Sequence, residues 1–345
     1  MACISPRCWR TPRRRRVSPM MKTPRPLDGV IRAIEHARSV ILVCHISPDG
    51  DTVGSALALR LALLAMDKQV QVCCENTIPE LLTFLPGAEA FLAPEEAMAQ
   101  ADLLLSVDVS DERRMGRCRE LIARVHHTAQ IDHHATNTIC FEENCVDGSA
   151  PANCLIIYEL LQRMNCPITP DIATCLATGL STDTGHLAYG STTPEAFRMM
   201  GEMSEKGAKV AQSWRLLYGR RPLRQVKLLQ KALSALQMHH QGQITSLQLT
   251  LADFAECGAL QEDAEGIVNY GLEISGVRMA VFARETESDQ VKLSLRAVEP
   301  DCVSGVASAL GGGGHAQAAG AMVRMPLEEA VREAVRLMTA EMEKA

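Results

Sequence analysis

The sequence predicts an α/β protein. An N-terminal domain on an open parallel sheet precedes a smaller α/β domain with a mixed sheet, and the active site lies in the cleft between them. Continuous apolar runs such as Ser39–Cys44 and Ala101–Val107 have the composition of strands buried on both faces. Helical spacing alternates with these runs through residue 180, the order expected of strand–helix–strand crossovers. After about residue 236 the apolar residues alternate instead, as in strands with one covered face.

In chain order, Leu27, Val30, Ile31 and Ile34 recur at helical spacing. The run 39–44 follows, then a loop from His45 to Asp51 and a helix from Val53 to Ala65. Val70–Cys73 is a strand, Ala101–Val107 another that runs into Asp108, and Ala129–Ile131 a short one that runs into Asp132. Helices are expected at about Asn153–Met164, Ile172–Leu180, Thr193–Glu205 and Leu223–Leu236. Strands at Ile244–Leu249, Val277–Ala283 and Val291–Leu295 follow, with helices near Glu262–Ile274, Cys302–Leu310 and Leu327–Met342 to cover them. Arg220, Arg221 and Pro222 interrupt the apolar pattern. The division is therefore a first domain at 26–215, a linker at 216–228 and a second domain at 229–345.

Residues 1–25 carry eight basic side chains and no acid, so with a net charge of −6 overall the remainder of the chain carries −14. Such a body repels long polyphosphates, which argues against tight binding of long duplexes. The arginine run reads as a nucleic-acid arm, a transit-like segment, or a stretch preceding a start at Met20 or Met21. The last is favoured, because helical patterning begins only at Leu27, and residues 1–25 are expected to be a disordered basic extension. Aromatic residues make up 3% of the chain, too few for an extended base-stacking platform. The 13 cysteines are scattered, without a C-x-x-C step; Cys44, Cys154 and Cys175 read as small core residues. That usage suits a reducing cytoplasm. No apolar run reaches the length of a membrane span.

The chemistry lies where acids and imidazoles fall. His45, Asp49 and Asp51 follow the first strand, Asp108 ends a later one, Asp132, His133 and His134 follow the short strand, and Asp183 closes a helix. The carboxyl ends of parallel strands share one edge, where ligands bind. Carboxylates gathered there repel one another unless cations neutralise them, and mixed Asp/His donors suit Mn²⁺. Gly50, between Asp49 and Asp51, is expected to accept unusual dihedrals. Gly54 and Ser55 are expected to open a helix whose positive end favours phosphate. Two ions a few ångström apart can hold a phosphoryl oxygen, generate hydroxide and steady the leaving oxygen. Taken singly, each of these residues also reads as a cap, a turn former or a solvated histidine; together they point to a metal site.

His45-Ile46-Ser47-Pro48-Asp49-Gly50-Asp51, the strand ending at Asp108, Ile131-Asp132-His133-His134 and Thr182-Asp183-Thr184-Gly185 resemble the four motifs of the DHH phosphoesterase superfamily. Gly311-Gly312-Gly313-Gly314-His315-Ala316-Gln317-Ala318-Ala319-Gly320 resembles the glycine-rich segment of its associated C-terminal domain. The resemblance implies that His45 and Asp49 hold one ion, that Asp51, His133 and Asp183 hold a second, and that Asp108 bridges them. It implies that His134 contacts the scissile phosphate or the nucleophile, and that Asp132 orients an imidazole. It further implies that the N–H groups of Gly312, Gly313 and Gly314, with His315 and Arg296, grip a phosphate. Arg113 or Arg114 adds a phosphate contact, and the sequence does not choose between them. As bland alternatives, the glycine run reads as a linker and Arg296 as an exposed strand charge.

Within the superfamily, the layout resembles the group acting as oligoribonuclease and 3′-phosphoadenosine 5′-phosphate (pAp) phosphatase. The expected substrates are short RNA oligonucleotides, dinucleotides and pAp. Cyclic dinucleotides or linear pApA are the alternative substrates, and a non-catalytic nucleotide-binding regulator is the alternative of another class. Mn²⁺ is the expected cofactor, with Mg²⁺ or Co²⁺ as substitutes, and a homodimer is left open. Two departures, Ala150-Pro151-Ala152-Asn153-Cys154 and His186, are expected to tune substrate choice.

Overall fold

The computed structural model describes residues 25–314 and 316–344. The chain divides into two compact units, Met1–Gly219 and Arg220–Ala345. In the first, α1 (Asp28–His36) leads into β1 (Ser39–Val43), α2 (Gly50–Leu64), β2 (Gln69–Cys73) and β3 (Phe91–Leu92). Next come β4 (Ala101–Val107), β5 (Val125–Asp132), β6 (Glu143–Val146), α3 (Asn153–Arg163), α4 (Pro170–Asp183), α5 (Pro194–Glu205) and α6 (Val210–Leu217). The strands form one sheet in the order β3-β2-β1-β4-β5-β6, and every pairing is parallel.

Burial explains why these strands read as unbroken apolar runs. Val40 and Leu42 enter one core layer while Ile41 and Val43 enter the layer on the opposite face. Each such side chain contributes about 1.5–3 kcal/mol by leaving water. The strand order reverses between the parallel neighbours β1 and β4, so their carboxyl ends flank a crevice of the kind that binds ligands in open α/β sheets. β3 and β6 escaped the sequence reading because they are short edge strands, and β6 opens on the polar pair Glu143-Asn144.

α2 begins at Gly50, three residues before the expected start, because the Asp49 side chain accepts from the backbone N–H groups of Asp51 (3.0 Å) and Thr52 (3.1 Å). Gly54 and Ser55 therefore lie buried in its second turn and do not open it. Gly50 is helical and its φ is not positive. What requires glycine there is a close approach: a Cβ would stand 2.4 Å from the Thr182 methyl. The same constraint acts one turn on, where a Cβ on Gly54 would stand 2.5 Å from the Cys175 carbonyl, so α2 and α4 pack nearly backbone to backbone.

The second unit contains α7 (Leu223–Ser234), β7 (Gln237–His239), β8 (Ile244–Leu249), α8 (Leu251–Cys257) and α9 (Ile267–Leu272). It continues with β9 (Met279–Glu287), β10 (Gln290–Ala297), α10 (Ser304–Ala309), β11 (Gly313–Gly314), β12 (Ala318–Val323) and α11 (Leu327–Met342). Its sheet runs β11-β12-β10-β9-β8-β7. Only β8–β9 among these pairs is parallel. Val291, Leu293 and Leu295 of β10 share a core with α11, and Leu247 and Phe282 share another with α7 and α9. The linker expected at 216–228 is largely helical instead, since α7 starts at Leu223 and seats Leu228 and Ala232, one turn apart, in the second unit's core. The helix expected over Glu262–Ile274 is broken at Gly266, whose φ of +79° separates a short 3₁₀ turn from α9. Among the described residues, no helix is long and apolar enough to cross a membrane.

Arg25 corrects the expected boundary of the basic extension; residues 1–24 lie outside the described residues. Its side chain is 7% exposed, and Nε donates to Asp147 at 2.7 Å. Nη1 pairs with Glu159 and lies 3.3 Å from Glu195. One guanidinium thus neutralises carboxylates from three segments, so Arg25 belongs to the folded unit. Burial raises the Asp147 carboxyl, but hydrogen bonds from Ser149 and Arg25 outweigh it and hold the group below the usual range. Arg25→Ala should lower stability by about 3 kcal/mol in urea denaturation at pH 7, since it strands partly buried carboxylates. The group's folded pKa lies below its unfolded value of about 3.9, so this stabilisation is complete above that pH and is lost as pH falls through the folded value. The gap between wild type and variant should therefore shrink below about pH 4; an undiminished gap there would assign the effect to packing.

Candidate metal centre

Three adjacent strands and two helix ends deliver the site. His45 follows β1, Asp49 caps α2, and Asp51 lies in its first turn. Asp108 follows β4 with φ +60°, a left-handed backbone that Asp tolerates better than most residues. Asp132 ends β5 and is followed by His133 and His134, while Asp183 ends α4. The contact between Gly50 and Thr182 brings the Asp49–Asp51 turn against the Asp183 turn.

The donor atoms fall into overlapping triads. His45, Asp49 and Asp108 form one, Asp51, His133 and Asp183 a second, and Asp108, His133 and His134 a third, each within 4.8 Å. His45 Nε2 lies 3.6 Å from Asp49 Oδ2 and 3.7 Å from Asp108 Oδ2. His133 Nε2 lies 3.3 Å from Asp183 Oδ2, 3.4 Å from Asp108 Oδ1 and 3.9 Å from Asp51 Oδ2. Asp108 therefore turns one oxygen toward each group.

Surrounding polar groups fix the ring orientations. Nδ1 of His45 lies 2.8 Å from the Ile46 carbonyl and Nδ1 of His133 lies 3.1 Å from the Ala150 carbonyl, contacts that turn both Nε2 atoms toward the site. His134 Nδ1 donates to Asp132 at 2.8 Å. Asp132 also accepts from Asn137 Nδ2 at 2.6 Å, and Asn137 donates to the Val109 carbonyl at 3.0 Å. Both Asp51 oxygens accept backbone N–H groups at the start of α3, from Asn153 and from Cys154 at 2.9 Å. The Ala150–Cys154 departure is thus buried and bonded to two of the donors, His133 and Asp51. Asn137 and the Ala150 carbonyl were missed by sequence reasoning. The spacing Asp132…Asn137 is unremarkable, and a backbone carbonyl leaves no residue signature.

The electrostatics show an excess of negative charge. Burial, followed by Asp183 and Asp108, pushes the Asp51 carboxyl well above its ordinary range. Burial also raises Asp183, despite the neighbouring His133. Burial opposes charge on His133, yet Asp108 and Asp183 outweigh it and push the ring up to about 12. His45 moves up likewise, burial being outweighed by Asp49. His134 is raised chiefly by Asp132. Crowded carboxylates thus favour positive charge in their midst.

A pair of divalent cations fits these residues. Asp108 Oδ1 is buried and accepts no hydrogen bond, an expensive state that a cation relieves. The donors are carboxylate oxygens and neutral-capable imidazole nitrogens, the set that Mn²⁺ and similar ions accept.

The candidate substrate contacts are less uniform. Arg113 is exposed, whereas Arg114 is half-buried and brings Nη2 to 2.9 Å from His45 Nδ1, with Nε lacking any partner. In the second unit, Arg296 of β10 pairs with Ala280 and Ala318, and its Nη1 donates to the Leu295 carbonyl at 3.0 Å. The Gly312 N–H is not free for an anion, because it closes α10 by donating to the Ala307 carbonyl at 2.8 Å. A Cβ on Gly312 would stand 2.1 Å from the Gly320 carbonyl oxygen, and one on Gly314 2.5 Å from the Ala319 Cα, so both glycines serve close strand packing. Gly313 faces open space; His315 lies outside the described residues.

Residues 39–180 match the DHH family, N-terminal domain, and residues 248–344 match the DHHA1 domain. The chain is 32% identical to the bifunctional oligoribonuclease and PAP phosphatase NrnA of Thermus thermophilus, over 89% of this chain and 91% of that protein. It is 25% identical to the protein of the same description from Bacillus subtilis, over 85% and 92% respectively. Among solved structures, an exopolyphosphatase-related protein from Bacteroides fragilis aligns with a TM-score of 0.84 at 27% identity, covering 91% of this chain and 95% of that one. With the strand-end acids and imidazoles gathered as described, this chain belongs to the DHH family and is a metal-dependent hydrolase of phosphate esters.

Proposed function

We propose that this enzyme hydrolyses short oligoribonucleotides and dinucleotides to mononucleotides and pAp to AMP, with two Mn²⁺ ions. The observation that carries the two-ion reading is Asp108, shared between a triad with His45 and Asp49 and a cluster with His133, beside Asp51 and Asp183. The preference for short substrates is supported by the negative charge of the chain beyond Arg25 and by the printed activities of the Thermus and Bacillus relatives. The eleven described cysteines all carry free thiols, which supports a cytoplasmic location.

His45, Asp49 and one oxygen of Asp108 would hold the first ion, and Asp51, His133, Asp183 and the other Asp108 oxygen the second. When bound, the ions neutralise phosphate charge and lower the pKa of water, so that hydroxide is available at neutral pH. In hydrolysis, water oxygen bonds to phosphorus, the ester P–O bond breaks, and the leaving oxygen receives a proton. Asp132, anchored by Asn137, holds His134 with its proton on Nδ1. That leaves the half-exposed ring's Nε2 to contact the phosphate or the attacking water. Arg114 steadies a non-bridging phosphate oxygen. Within the second unit, Arg296, Gly313 and His315 would offer a phosphate-binding surface.

Purified protein with Mn²⁺ should release mononucleotide from pApA and short RNA and phosphate from pAp; failure on all three, with turnover of cyclic dinucleotides alone, would replace this reading. Asp108→Asn should reduce turnover by about 10³-fold or more while leaving far-UV circular dichroism unchanged, because Asn also tolerates φ > 0. Near-normal manganese-dependent activity of that variant would remove Asp108 from the site. Arg114→Ala should raise KM for pApA by roughly 10-fold, as expected for a lost charged hydrogen bond. Arg113→Ala should have the smaller effect, and the reverse ranking would refute the choice of Arg114.

A further inference from the structure

The loop after Asp183 has an unusual backbone. Gly185, His186 and Leu187 take φ of +54°, +58° and +67° in succession, a left-handed turn that residues with a Cβ rarely adopt. It is held by backbone bonds from His186 N–H to the Ser181 carbonyl (2.7 Å) and from Tyr189 N–H to the Thr184 carbonyl (3.0 Å). The Tyr189 ring lies over Gly185, where a Cβ would come within 2.3 Å of it. The turn presents the His186 ring to α6. The ring sits 6.0 Å from Trp214 and 5.9 Å from Tyr218, tilted at 49° and 48°, while its Nδ1 lies 2.9 Å from the Ser181 hydroxyl. Trp214 and Tyr218 are one helical turn apart, and the Tyr218 hydroxyl donates to the Ser181 carbonyl at 3.2 Å.

This cluster is out of keeping with the rest of the molecule. Aromatic residues make up 3% of the chain, yet one of its two tryptophans and two of its four tyrosines gather here. They are not used as core: Trp214 remains 44% exposed, Tyr218 39% and Tyr189 58%. Ser181 and His186 flank the metal-site residue Asp183 in the chain, and both are bonded within the patch, so the patch adjoins the turn that carries Asp183. A nucleotide whose phosphate occupies that centre carries its base one sugar away. In a body carrying −14 beyond Arg25, the base offers a planar, uncharged surface that aromatic faces hold without regard to sequence.

We propose that His186, Trp214 and Tyr218 form a stacking site for a nucleobase of the substrate, a proposal that rests on the functional reading above. It accounts for the His186 departure as a device for base recognition, set in place by the left-handed turn.

Two measurements test it. In the Trp9→Phe chain Trp214 is the sole tryptophan, and its fluorescence should be quenched saturably by AMP in the presence of Mn²⁺ but not by ribose 5-phosphate. Equal quenching by both, or by neither, would overturn the proposal. Second, Trp214→Ala should cut the preference in kcat/KM for pApA over a dinucleotide analogue lacking one base by roughly 10-fold, mainly through KM. An equal loss on both substrates would assign Trp214 a structural role and overturn it too. Absence of wild-type turnover on pApA would instead sink the functional reading, and the AMP titration would still decide the base site.

Discussion

Mutual repulsion of carboxylates governs this molecule. Asp49, Asp51, Asp108 and Asp183 are packed within a few ångström of His45 and His133, and Asp51 and Asp108 are almost completely buried. Charges so placed cost several kilocalories per mole each unless paired. The neighbouring imidazoles feel the same crowding: Asp108 and Asp183 outweigh burial and drive His133 far above its ordinary value. A fold that pays this cost at one sheet edge has its function there.

The rest of the first unit can be understood as the means of holding that arrangement. Parallel pairing aligns the ends of β1, β4 and β5. The left-handed backbone at Asp108 turns its carboxylate into the space between neighbouring strands. Glycines at 50 and 54 let α2 lie against α4, so that a helix end, normally remote from strand ends, can contribute Asp183. Carbonyl groups of Ile46 and Ala150 orient the imidazole rings. Each device is small, but together they hold the donors in place, as surrounding contacts must around a metal site.

Much of this was legible from residues alone, for definite reasons. Strands buried on both faces must be apolar without interruption, so 39–44 and 101–107 announced themselves, and the acids terminating them stood out against that background. The mixed second sheet was visible in the alternation of β10, whose odd-numbered residues face α11. What stayed hidden depended on backbone groups or on long-range partners. Arg25 looked like the tail of a basic run because the three acids that surround it lie more than a hundred residues away. Gly50 and Gly312 were credited with dihedral freedom or anion binding, whereas close contacts with Thr182 and Gly320 demand them. The preference proposed for Arg114 over Arg113 rests on its place beside the His45 ring, which no residue pattern displays.

Anomalous diffraction from crystals grown with Mn²⁺ tests the central claim most directly. Two manganese peaks about 3.5–4 Å apart are expected, one against His45 and Asp49, the other against Asp51, His133 and Asp183, with Asp108 touching both. A single peak that leaves Asp108 uncoordinated, or none among these side chains, would contradict the account.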